Sequence, residues 1–101
     1  MFSSRLQNEQ TDNLARAFLA LENVEDCYRL FEDLFTIREI QDLSQRLEVA
    51  QLLKSQATYT EIVEKTGVST ATIGRVNRAL NYGAGGYQKV LDSLNQKDAK
   101  E

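Results

Sequence analysis

The chain has 101 residues with no histidine, no proline and one cysteine, and its 12 Lys and Arg stand against 15 Asp and Glu for a net charge of −3. That length allows one domain with a modest core, and a domain so small often gains burial by pairing with a copy of itself. Apolar runs of only a few residues exclude a membrane-spanning helix, the polar start "MFSSRLQNEQTDNLARAF" does not read as a signal peptide, and the lone Cys27 cannot close an internal disulfide.

Helical periodicity runs through nearly the whole chain. Leu14, Ala17, Phe18 and Leu21 share one face of a first helix over residues 10–21. Val24, Cys27, Tyr28, Phe31, Leu34 and Phe35 repeat the pattern in a second, with Asn23 placed to cap it and Asp26 three residues on. Within that stripe Cys27 reads as a small buried residue rather than a reactive thiol. Thr36 can cap a third helix with Glu39 three residues on. Ile40, Leu43, Leu47, Ala50 and Leu53 then mark a stripe about 18 residues long, ending near residue 54 or 55. Two capping signals follow in close succession. Thr60 is placed to cap a short helix over 61–66, and Ser69 the next, over 70–80, with Gly67 supplying the left-handed residue between them. "NYGAGGY", residues 81–87, reads as a connector, residues 88–95 as a last short helix, and residues 96–101 as a frayed tail. The reading is all-α: one domain of about six helices and no strand, with residues 1–55 for dimerisation, 60–80 as a helix-turn-helix, and 81–95 as connector and C-terminal helix.

Charge is spread unevenly. Residues 1–64 carry a net −6, whereas residues 65–91 carry Lys65, Arg75, Arg78 and Lys89 without one acidic side chain. Such asymmetry suggests that one face meets an anion. A helix-turn-helix explains it. Ile62, Val63, Val68, Ile73 and Val76 suit the lock between two helices, leaving Ser69, Thr70, Ala71, Thr72, Gly74, Arg75 and Arg78 as the candidate DNA-binding residues. Small side chains let the front of a recognition helix approach base edges, while arginines behind it meet phosphates and carboxylates there would oppose binding.

"CYRLFEDLFTIREIQDLSQRLEVAQLL" together with "STATIGRVNRALNYGAGGY" resembles the bacterial tryptophan-repressor-like family, and within it the YerC/YecD-type branch. The resemblance implies an intertwined homodimer in which the long helices of two chains share one core. Each chain would then bring one helix-turn-helix to successive major grooves of a near-palindromic double-stranded DNA operator. It also implies a small-molecule co-effector held by Thr36, Arg46 and Arg75. Val76 stands where the repressor has glycine beside the second arginine, and its isopropyl group occupies the space an indole would need. Tryptophan is therefore not the expected co-effector. The favoured reading of the two arginines has no ligand site: Arg46 pairs with carboxylates such as Asp42, and Arg75 touches phosphate.

The expected function is a cytoplasmic, sequence-specific transcriptional regulator, a repressor, with no cofactor, no metal and no membrane partner. The chemistry of an enzyme is missing: there is no histidine for proton transfer, and Cys27 has no evident activating base. Glu32, Asp33, Glu39 and Asp42 are spaced like solvated helix faces, and "GAGGY" lacks the lysine and strand of a phosphate loop. The rival reading is a protein-interaction module using the same helix pair without DNA. Salt separates the two, because DNA affinity falls steeply with ionic strength and an apolar interface hardly responds.

Overall fold

Short polar side chains ahead of apolar runs set where the helices begin. The computed structural model describes residues 2–100, with side chains as far as Gln96, and holds six helices and no strand among them. These are α1 (Glu9–Leu19), α2 (Val24–Leu34), α3 (Ile37–Lys54), α4 (Tyr59–Thr66), α5 (Thr70–Tyr82) and α6 (Gly86–Lys100). Asn8 caps α1, accepting from the Thr11 N–H at 2.9 Å while Thr11 Oγ1 accepts from the Asn8 N–H. Asn23 caps α2 as expected, accepting from the Asp26 N–H at 2.8 Å, and α3 has the expected 18 residues.

Four helices differ in their bounds from the sequence reading. α1 stops two residues early, because Asn23 must be extended (φ −152°, ψ 173°) to cap α2 and the chain leaves the helix before it. α4 is capped by Thr58 rather than Thr60. Thr58 Oγ1 accepts from the Glu61 N–H at 3.2 Å and Glu61 Oε1 accepts from the Thr58 N–H at 3.0 Å. Thr60 has no glutamate three residues on, so it cannot close this reciprocal box. α5 runs two residues further, to Tyr82, and stops at Gly83, where any Cβ would run into the Ala79 carbonyl oxygen. α6 begins at Gly86 and passes the expected stop near Asn95, since neither glycine nor proline follows to end it. Of the tail expected to fray, Glu101 lies outside the described residues.

The chain divides into two units, Met1–Ile37 and Arg38–Glu101. In the first, no side chain of α1 or α2 is buried. Phe18 and Phe31 flank Phe35 with ring centroids 6.4 and 6.1 Å away, and Tyr28 meets Phe31 at 6.2 Å. Leu14, Leu19, Val24, Leu34 and Ile37 remain exposed. Cys27 is half-buried, short of the burial expected of it, because two 11-residue helices alone cannot enclose a core.

The second unit has a core. Val49, Ala50, Ile62, Ile73, Val76, Leu80 and Leu91 are buried, ringed by Leu47, Leu52, Leu53, Ala57, Val63, Val68 and Tyr87. Each buried valine, isoleucine or leucine contributes roughly 1.5–3 kcal/mol. The back half of α3, which the sequence groups with the first two helices, packs here under the helix pair. A tight reversal ends it: the Ala57 N–H donates to the Leu52 carbonyl and the Gln56 N–H to that of Leu53, both at 3.0 Å, with Gln56 at φ 68°. Lys54 Nζ donates to Gln88 Oε1 and to Asp92 Oδ1, each at 2.6 Å, and Gln88 Nε2 donates to the Leu80 carbonyl. Asp92 is largely exposed, so this pairing aligns α6 with α3 and α5 more than it stabilises them.

Candidate nucleic-acid interface

The interface is built on the three residues between α4 and α5. Gly67 takes the left-handed conformation (φ 74°, ψ 4°) that other residues adopt only at a cost, and its N–H closes α4 on the Val63 carbonyl. Thr66 pins the turn from both sides: its hydroxyl donates to the Ile62 carbonyl at 2.7 Å and accepts from the Val68 N–H at 3.2 Å. Ser69 caps α5, its Oγ accepting from the Thr72 N–H at 3.1 Å. Fully buried Ile62 on α4 and Ile73 on α5 lock the pair, with Val63 and Val68 packed beside them, in the roles the sequence assigns.

The expected DNA-facing residues divide into two groups. Thr70, Ala71, Arg75 and Arg78 are exposed on the outer face of α5, and open space lies over Gly74 among them. Ser69 and Thr72 are committed to the helix start, where the Ser69 hydroxyl also donates to Thr72 Oγ1 at 3.1 Å, and Thr72 is half-buried. Sequence reading passed over Asn77 and placed Asn81 and Tyr82 in the connector rather than on α5. Asn81 Nδ2 donates to the carbonyl and the side-chain oxygen of Asn77, both at 2.9 Å, and Tyr82 is 87% exposed at the last residue of α5.

The inner side of α5 borders an open groove of about 350 Å³, lined by Arg46, Thr72, Arg75, Val76, Ala79 and Tyr87. Arg46 and Arg75, the two arginines of the implied ligand site, both line this groove, as does Val76. Thr36, the third residue of that expectation, is exposed in the first unit, one residue ahead of α3. Tyr87 was missed, although its distance from Val90, Leu91 and Leu94 matches the helical repeat. The expected pairing of Arg46 with Asp42 does not form. Ion pairs do join Arg29 to Glu25 and Lys54 to Asp92, but at Arg46 and Asp42 hydration of two exposed side chains competes well with so weak a bond. Arg75 and Arg78 likewise keep their charge uncompensated. The flanking carboxylates in sequence are Glu64 on α4 and Asp92 on α6, and Asp92 is taken by Lys54; Glu61, also on α4, has its carboxyl held below its usual range by the Thr58 N–H and then by the Thr58 hydroxyl.

Six helices, a glycine-turned helix pair and two arginines gathered from α3 and α5 define the class: the chain belongs to the Trp repressor protein family, which matches residues 9–95. Its family is one of regulators rather than enzymes. The chain is 47% identical over 96 residues to the uncharacterised protein YerC of Bacillus subtilis (strain 168), covering 95% of this chain and 92% of that protein. Among solved structures it matches a TrpR-like protein from Eubacterium eligens ATCC 27750 with a TM-score of 0.86 and 49% identity, over 90% of this chain and 94% of that one. A candidate Trp repressor from Staphylococcus aureus matches with a TM-score of 0.85 and 48% identity, over 90% and 91%. Among the described residues no helix is long and apolar enough to cross a membrane.

Proposed function

We propose that the protein is a cytoplasmic, sequence-specific DNA-binding regulator that represses transcription as a homodimer. The observation that carries this reading is the outer face of α5. Two uncompensated arginines lie behind a front of small side chains, in a 27-residue segment that carries no carboxylate within an otherwise acidic chain. Thr70, Ala71 and Gly74 suit close approach to base edges, and Arg75 and Arg78 suit phosphate oxygens. The exposed apolar side chains of α1 and α2 support the dimer, because a second chain would cover them and bring a second α5 to the next major groove. The groove between Arg46 and Arg75 suits the carboxylate of a small co-effector.

Duplex binding by the full chain across a salt series tests this. Affinity should fall steeply with ionic strength. Arg78→Ala should flatten the log–log slope by about one for each phosphate the protein no longer neutralises, weakening all sequences alike. Binding indifferent to salt would favour a protein-interaction module instead.

A further inference from the structure

We infer that Tyr82 is a DNA-backbone contact, extending the recognition surface one turn past the arginines onto the sugar–phosphate rim of the groove. The inference rests on the DNA-binding reading and deepens it. At 100° per residue, Ala71, Arg75, Arg78 and Tyr82 fall within about 60° of one another, in one stripe along the exposed side of α5. Arg75, Arg78 and Tyr82 stand three and four apart, so successive side chains are neighbours on the helix surface.

Length decides what this stripe meets. Thr70 and Tyr82 are twelve residues apart, about 18 Å along the axis. The major groove is only about 12 Å wide and 8.5 Å deep. If the small front end of α5 reaches the bases, its last turn must pass the groove edge, where phosphates and deoxyriboses are. Tyrosine suits that place: its hydroxyl donates to a phosphate oxygen and its ring covers the sugar.

The local structure holds Tyr82 ready for this role. Gly83 ends α5 directly after it, and no other residue fits there without striking the Ala79 carbonyl. Tyr82 is therefore fixed as the last helical residue, yet its ring is 87% exposed. Among the described residues it has neither a ring partner nor a hydrogen-bond partner for its hydroxyl. Charge complementarity selects the partner, since no carboxylate lies between residues 65 and 91 to oppose a phosphate strand.

The test is binding of the full chain to a random-sequence duplex pool, over a salt series, for the native protein, Tyr82→Ala, Tyr82→Phe and Arg78→Ala. Tyr82→Phe should weaken binding about tenfold, the size of one hydrogen bond to a charged group, and Tyr82→Ala should weaken it further, because the ring's cover of the sugar goes as well. Because tyrosine is uncharged and releases no counterion, the salt slope should stay at its native value in both, while Arg78→Ala lowers it. The thermal melt should be unchanged, since the side chain is outside the core. Native affinity in Tyr82→Ala, while the native chain binds the pool, overturns this inference alone. So does a changed base consensus in place of a uniform loss. A native chain that fails to bind the pool at low salt overturns the DNA reading together with it.

Discussion

Gly74 and Val76 sit two residues apart on α5 and face opposite demands. A glycine inside a helix costs about 0.5–1 kcal/mol relative to alanine, and nothing lies within 4 Å of a Cβ placed on Gly74. Packing therefore does not require it, whereas close approach of a ligand to the α5 backbone would. Gly74→Ala should raise thermal stability by about 0.5–1 kcal/mol and weaken duplex binding; a variant that binds as well as the native chain would leave the glycine without this role. Val76 is 4% exposed, belongs to the core and also lines the groove that Arg46 and Arg75 share. A flat indole beside Arg75 would have to displace its methyl groups in a packed site. We expect L-tryptophan to leave duplex affinity unchanged at fixed salt. A strong tryptophan response would mean that the groove opens elsewhere. Val76→Gly would widen the groove but also cost roughly 3 kcal/mol in lost burial and helix propensity, so its melt must be recorded beside its binding.

At the scale of the elements, local chemistry was the most legible part of this chain. The Gly67 turn and the Asn23 and Ser69 caps depend on residues within one turn of each other, and each stands where its sequence signal puts it; the length of α3 follows its apolar stripe. Thr58 and Thr60 are both competent caps, and the choice between them turns on Glu61, which only Thr58 can engage. That box makes α4, the first helix of the pair, sensitive to acid. The folded Glu61 carboxyl titrates below its ordinary value of 4.5, so its contribution is fully present above that value and is lost as pH falls through the lower folded one. Glu61→Gln keeps an acceptor for the Thr58 N–H but cannot titrate. Its stability should decline less than that of the native chain on acidification below about pH 4.5. Equal declines would place the acid sensitivity at other carboxylates. What the sequence hid has two sources. Tyr87 lines a groove with residues of α3 and α5, which is packing between elements, while the Gly83 stop against the Ala79 carbonyl and the unpaired Arg46 and Asp42 turn on backbone clearance and hydration that residue spacing does not show.

For the molecule as a whole, the distribution of charge and of apolar surface carries more information than either total. The net −6 of residues 1–64 would repel a phosphate backbone, and the anion-free segment 65–91 is the region where that repulsion is absent. Exposed Leu19, Val24, Tyr28 and Ile37 leave the first unit without a core of its own, which a second chain would supply. Two copies related by a twofold axis would read the same half-site on opposite strands, so symmetry in the protein implies symmetry in the target. The measurement that bears most directly on this is selection of bound fragments from a genomic library by the purified full chain. We expect one enriched, near-palindromic motif with half-sites about one helical turn apart. Recovered fragments that sample the library evenly, with no common motif, would contradict sequence-specific recognition by a dimer.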